Sequence, residues 1–162
     1  IIVTLDGDDW LASKDVLETV NKVYNEKKCW MTYGSYAEYP AKTRGQFAKK
    51  IPATIIQKNQ FRDYQWCSSH LRTFKYHLWK KIRKKDLLDF KGEFYRMTGD
   101  LAFMFPMLEM SGDKSEYIEK ILYVYNLENP LNDHKVDNSY QVILERQIRG
   151  KEKYKRIKNE IK

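Results

Sequence analysis

The chain opens with a short apolar run that ends in a cluster of carboxylates. Residues 1–5 read Ile-Ile-Val-Thr-Leu, and Asp6, Asp8 and Asp9 follow within the next four positions. A continuous apolar run of this kind is typical of a buried parallel strand. Like charges this close repel one another unless a cation neutralises them. The opening therefore predicts a buried strand whose carboxyl end holds a divalent metal ion.

Oxygen ligands alone suit Mg²⁺ or Mn²⁺, and an ion held in this turn could in turn hold a diphosphate. The alternative is a solvated turn in which Asp9 caps the following helix. The apolar strand before the turn favours the metal site.

The residues after the acidic turn predict an α/β fold. Apolar residues recur at helical spacing between Lys14 and Lys27, and the stretch from Cys29 to Ser35 has the composition of a second strand. The right-handed crossover rule makes the two strands parallel. In such sheets ligands bind at the carboxyl ends of the strands, which is where the acidic turn lies.

Turn residues, helix caps and apolar spacing predict the remaining elements. They are a loop over 36–60, a helix from Ser69 to about Lys81, a helix from Thr98 or Asp100 through Met110 with Gly112 as its C-cap, a strand over 117–125, a polar turn over 126–135 and a helix over 136–162. We expect one domain over 1–135 and a basic amphipathic helical tail over 136–162.

The net charge of +8 is concentrated near the end of the chain, where eight Lys or Arg and two Glu lie between Arg146 and Lys162. Such a tail can be a solvated helix or contact an anionic membrane surface. The sequence contains no recognised nucleic-acid motif, so no nucleic acid partner is expected. An apolar run of about 20 residues, which a spanning helix needs, is also missing from the sequence. Cys29 and Cys67 lack a short pairing motif, which favours free thiols in a reducing, cytoplasmic location.

Residues Ile2–Leu11 closely resemble the strand and DxD motif of family 2 glycosyltransferases of the GT-A fold. The resemblance continues in the same order through Gly34-Ser35, His70–Phe74, Thr98-Gly99-Asp100 and the segment from Tyr125 to His134. It implies the acceptor-side part of a GT-A domain, with a mostly parallel sheet flanked by helices. The half that grips the nucleotide base would precede Ile1.

The activity implied by this resemblance is transfer of a sugar from a nucleotide-diphosphate sugar, such as a UDP-sugar, to a hydroxyl of a glycan, lipid or protein. Inversion by direct displacement, with Mn²⁺ or Mg²⁺, is the implied mechanism. Asp8 and His134 would bind the metal, and Asp6 and Asp9 would contact the nucleotide or support the ion. Asp100 would be the base that takes the proton from the acceptor.

Three further residues are candidates with open alternatives. His70 and Arg72 would meet phosphate or acceptor, since an Arg fork suits phosphate oxygens, or else form a solvated basic helix face. Trp66 would be a stacking platform for the acceptor, or else part of the core. Asp100 has the alternative of a helix cap, and His134 that of an exposed loop residue.

Two other function classes fit parts of the pattern. An apolar strand ending in Asp-x-Asp also occurs in phosphatases of the haloacid dehalogenase type, in which the first Asp is the nucleophile. A non-enzymatic module for anionic partners would use the basic charge.

Overall fold

The computed structural model describes residues 1–132, 135 and 137–158. Within this part the chain has an α/β fold built on one six-stranded sheet, with the order β1-β5-β3-β6-β2 and with β4 beside β3. The strands are β1 (Ile2–Val3), β2 (Trp10–Leu11), β3 (Met31–Tyr39), β4 (Thr43–Arg44), β5 (Thr73–Phe74) and β6 (Ser115–Asn126).

Helices flank the sheet, and short 3₁₀ turns at Phe61–Asp63, Lys84–Leu87 and Gly112–Lys114 join some of the elements. The helices are α1 (Val16–Lys27), α2 (Ala53–Lys58), α3 (Tyr76–Trp79), α4 (Gly99–Ser111) and α5 (Asn138–Arg149). In the described residues no helix combines the length and the apolar character that crossing a membrane requires.

The two longest strands, β3 and β6, pair in parallel along their whole length, from Met31 opposite Ser115 to Tyr39 opposite Asn126. Their register shifts on either side of Ser35. The strands approach closely at Gly34, where a Cβ atom would lie 2.9 Å from the carbonyl oxygen of Ile118. A glycine at this position therefore lets the sheet keep its tightest pairing.

The expectation of a mostly parallel sheet is wrong, because the other pairings among the described strands are antiparallel. The predicted buried strand over 1–5 is wrong, because β1 is only Ile2–Val3 and Ile1, Ile2 and Leu5 are exposed. The crossover rule nevertheless gave the correct relative direction of β1 and β3, since both pair antiparallel with β5, which lies between them. The sheet is mixed because β2, β4 and β5 all run antiparallel to their neighbours.

Two apolar clusters lie against the sheet. One contains Val16 and Val20 of α1 with Ile118 and Leu122 of β6. The other surrounds α4, whose residues from Met104 to Ser111 are all buried. Two predicted helices are confirmed to within about two residues, namely the one over 14–27 and the one from Thr98 or Asp100 to Met110. Gly112 is the C-cap of α4, as predicted.

The predicted helix from Ser69 to Lys81 is wrong. Thr73–Phe74 is strand β5, and only Tyr76–Trp79 is helical. Every residue from Cys67 to Phe74 is buried, so the apolar spacing did not mark one helical face. The Thr73 hydroxyl lies 2.6 Å from the Thr32 hydroxyl, a contact that spans 41 residues and favours the strand.

Two other segments differ from the expectation. The predicted loop over 36–60 contains the end of β3, strand β4 and helix α2. The helix predicted over 136–162 ends at Arg149, and residues 151–158 belong to no helix or strand. This last segment docks on α4, since the Ile157 N–H donates to the Met110 carbonyl at 2.9 Å.

A buried ion pair joins the helical layer to the end of the chain. Arg62 donates to Glu109 of α4 through Nε at 2.6 Å and through Nη2 at 3.0 Å, and both side chains are at most 1% exposed. The remaining Arg62 Nη1 donates to the Ile148 carbonyl of α5 at 2.5 Å. The Tyr154 N–H donates to Glu109 Oε2 at 2.9 Å. The Arg62–Glu109 ion pair thus connects α4, α5 and residues 151–158.

Glu109→Gln should reduce the free energy of unfolding by about 3–5 kcal/mol, because it leaves the Arg62 charge buried without a counter-charge. Denaturation in guanidinium chloride, followed by circular dichroism, measures this loss. The control is Glu93→Gln, which removes an exposed ion pair with Arg96 and should change the midpoint little. Equal effects of the two variants would contradict the role given to the buried pair.

Candidate functional site

A cleft of about 1200 Å³ opens beside the acidic turn. Its walls come from the acidic turn, the residues before β5, the start of α4, the residues after β6 and one side of α5. The candidate residues Asp6, Asp8, Trp66, His70, Arg72 and Asp100 all line this cleft. Asp8 and Asp100 are thus brought to one cavity although 92 residues separate them in the sequence.

Asp9 is held by the end of β6. The Tyr123 hydroxyl donates to its Oδ2 at 2.6 Å, and the Asn126 N–H donates to its Oδ1 at 2.8 Å. Asp9 does not cap α1, because β2 follows it directly and Asp15 is at the N-cap position of that helix. The capping alternative for Asp9 is therefore wrong.

Asp6 and Asp8 lie on the open side of the turn. The Asp6 side chain is 48% exposed. The backbone N–H of Asp6 donates to the Tyr123 hydroxyl at 3.1 Å. Asn129 Nδ2 donates to Asp8 Oδ2 at 2.5 Å. Tyr123, Asn126 and Asn129 therefore organise the acidic turn, and sequence reasoning assigned none of them to the site. The Asn-rich turn that follows a strand was the only available signal for these residues.

Arg72 joins the acidic turn to helix α4. Its Nη1 donates to Asp100 Oδ2 at 2.6 Å, and its Nη2 donates to Asp6 Oδ2 at 3.2 Å. The Arg72 side chain is 4% exposed, so the alternative of a solvated basic helix face is wrong. Asp100 lies in the first turn of α4, where free backbone N–H groups favour a negative charge, while Thr98 is at the N-cap position.

Burial sets the protonation chemistry of two of these carboxylates. It raises the pKa of Asp100 above the ordinary value, and the Arg72 guanidinium opposes this shift. Burial also raises the pKa of Asp9, against the hydrogen bonds from Tyr123 and Asn126. A carboxylate with a raised pKa is a stronger base, which suits proton removal from a hydroxyl.

His70 lies inside an aromatic cage. Its ring stacks on Tyr123, with centroids 4.3 Å apart and planes at 13°, and on Tyr125 at 5.6 Å and 23°. Tyr36 meets the ring edge-on at 5.6 Å. The residue is 7% exposed, and burial, with Arg72 nearby, holds its pKa well below the ordinary value. The imidazole is therefore neutral at physiological pH.

The Nδ1 atom of His70 is buried and makes no hydrogen bond. It lies 3.9 Å from Asp6 Oδ2. One ligand atom from each of Asp6, Asp9 and His70 lies within 4.8 Å of the others, which makes this a group that could hold a metal ion.

Two further candidates were predicted from the sequence, His134 and Trp66. His134, the predicted second metal ligand, lies outside the described residues. Trp66 lines the cleft and also packs edge-on against Phe105 of α4, with centroids 5.5 Å apart. Trp66 is thus partly in the core, and its role as a stacking platform for the acceptor stays a prediction.

Comparison with known proteins gave no match, either among protein-family models or among curated proteins. The chemistry of the cleft is therefore the basis for the functional conclusion.

Arg72→Met should raise the pKa of Asp100 further, because it removes the cation that stabilises the carboxylate. Carboxyl carbon chemical shifts, followed by NMR through a pH titration, measure the pKa. Lys120→Met is the control, since Lys120 pairs with Asp15 and is the main cause of the low pKa of Asp15, about 2. It should raise the pKa of Asp15 and leave Asp100 unchanged. An unchanged Asp100 pKa in Arg72→Met would refute the coupling.

Proposed function

We propose that this chain is the acceptor-side part of a GT-A-type, metal-dependent glycosyltransferase, which moves a sugar from a nucleotide-diphosphate sugar to a hydroxyl group. The observation that carries the proposal is the placement of Asp100 and the acidic turn in one cleft, with Arg72 between them. Direct displacement needs a base and a binding site for the departing diphosphate on the two sides of one sugar. In this proposal Asp100 is the base and the acidic turn is the binding site for the diphosphate.

The donor side of the reaction would use the acidic turn. Asp6, Asp8 and Asp9 place three carboxylates near one guanidinium, and the surplus of negative charge fits a Mn²⁺ or Mg²⁺ ion. The orphaned Nδ1 of His70 beside them also fits a divalent ion. When bound, such an ion neutralises the charge that develops on the departing diphosphate.

The acceptor side would use Asp100. Its carboxylate removes the hydroxyl proton while the acceptor oxygen attacks the anomeric carbon, and the sugar–phosphate bond breaks on the opposite face. The hydrogen bond from Arg72 holds one carboxylate oxygen, and Asp100 lines the cleft. Attack opposite the leaving group gives inversion at the anomeric carbon.

Amide side chains in the lining of the cleft favour a glycan among the possible acceptors. They include Gln46, Gln65, Asn138 and Gln141. Amides can both donate to and accept from sugar hydroxyls. Trp66 adds an aromatic face of the kind on which sugar rings stack. We place this activity in the cytoplasm, in keeping with the free, buried thiols of Cys29 and Cys67.

The two other function classes find less support. Asp6, the nucleophile in a phosphatase of the haloacid dehalogenase type, accepts a hydrogen bond from Arg72, which lowers its nucleophilicity. Several cations of the basic tail bind groups of the chain itself: Lys151 donates to Leu88, Lys153 to Asp63 and Arg156 to Ile56. These contacts leave less of the charge for an anionic surface or partner.

UDP should bind only in the presence of Mn²⁺ or Mg²⁺, and Asp8→Ala should weaken that binding by at least about tenfold, because the carboxylate helps to hold the ion. Calorimetry with and without metal tests this on the protein that carries this chain, with any residues that precede Ile1 in its gene. Asp113→Ala removes an exposed carboxylate outside the cleft and should bind normally. Metal-independent binding that Asp8→Ala leaves unchanged would overturn the metal role.

Asp100→Asn should lower sugar transfer by roughly 10²–10⁴-fold, since the amide cannot accept the hydroxyl proton. The affinity for UDP should stay nearly intact, because the base acts on the acceptor. The assay is UDP release from a panel of UDP-sugars with mono- and oligosaccharide acceptors. Glu119→Gln, an exposed change on β6, is the control. Retention of more than about a tenth of the activity would rule out Asp100 as the base.

A further inference from the structure

We propose that His70 is the nitrogen ligand of a divalent ion whose protein ligands include Asp6 and Asp9, and that this ligand makes the site select Mn²⁺ over Mg²⁺. The assignment deepens the proposed function because it names protein ligands of the proposed metal ion, and in that one respect it rests on the proposed function. Its geometric argument involves no nucleotide.

The first argument is the unused lone pair of His70. A neutral imidazole carries one N–H and one lone pair, and Nδ1 is buried without a hydrogen bond. A buried polar atom without a partner destabilises the fold, so native structures rarely keep one without a use. With the N–H on Nε2, the Nδ1 lone pair lies 3.9 Å from Asp6 Oδ2, a separation that a divalent ion can bridge.

The second argument is distance. Ligand atoms about 2.1 Å from one ion are at most about 4.2 Å apart. The three candidate atoms of Asp6, Asp9 and His70 lie within 4.8 Å of one another. The difference is at most about 0.6 Å, which small side-chain rotations close.

The third argument is that the candidate ligands are already oriented. Tyr123 and Asn126 hold the two oxygens of Asp9, and Tyr123 also stacks on the His70 ring. Arg72 holds one oxygen of Asp6, and each carboxylate oxygen keeps a second lone pair. Such outer contacts fix ligand orientation and strengthen metal binding.

The ligand type determines the selectivity. Carboxylates alone suit Mg²⁺ and Ca²⁺, whereas an imidazole shifts preference towards transition ions such as Mn²⁺. Asp8 lies beside the group, so its carboxylate and diphosphate oxygens are available for the remaining positions of the ion.

The experiment loads the nucleotide-free protein with Mn²⁺ and records pulsed EPR, in which a bound imidazole gives a ¹⁴N modulation. The modulation should be present in the wild type, persist in His134→Ala and His77→Phe, and disappear in His70→Phe, which keeps an aromatic ring in the cage. Calorimetry should show Mn²⁺ bound at least about tenfold more tightly than Mg²⁺, with the preference lost in His70→Phe.

A wild-type spectrum without ¹⁴N modulation would overturn the proposal, and this measurement needs no variant to fold. Loss of the modulation in His134→Ala alone would also overturn it. If UDP binding requires metal but His70 does not coordinate, this inference alone fails. If His70 coordinates Mn²⁺ and no UDP binds, the glycosyltransferase proposal alone fails.

Discussion

The cleft depends on one buried guanidinium. Arg72 is almost fully enclosed, and a charge in that position is tolerated only with close counter-charges. Its partners, Asp6 and Asp100, come from the start of the sheet and the start of α4. Its own carbonyl accepts from the N–H and the hydroxyl of Thr4, each at 3.1 Å. Arg72 thus connects Thr4, which follows β1, with the acidic turn and with α4, the helix that carries the candidate base.

The site also shows how a protein keeps carboxylates together. Asp9 has both oxygens satisfied by Tyr123 and Asn126, while Asp8 is held by Asn129. These donors reduce the mutual repulsion, but burial still raises the pKa of Asp9. The cluster is therefore ordered in advance and remains short of positive charge. That combination suits the capture of a cation better than either an exposed acidic loop or a fully neutralised network would.

Sequence reasoning succeeded for several elements whose signal was local, although the apolar run over 1–5 did not form the predicted buried strand. Helices α1 and α4 and the strand at β6 were found from apolar spacing and a glycine cap, and the α/β class followed from their order. It failed at β5, whose identity depends on partners in β1 and β3 that lie more than 40 residues away. The same limit hid Tyr123, which has the apolar character of a core strand residue and acts through a hydroxyl 114 positions from Asp9. Local patterns identified the carboxylates as candidate site residues, but they did not identify the side chains that hydrogen-bond to them.

The pairing of Asp9 with Tyr123 and Asn126 has a consequence for the order of events on the ribosome. At about 5–20 residues per second, the roughly 115 residues between them take about 6–23 seconds to synthesise. During that interval Asp9 has neither of its native partners, although Arg72, the partner of Asp6, is synthesised earlier, and β1 waits for β5 for much of the same time. The acidic turn is thus synthesised well before the strand that orders it.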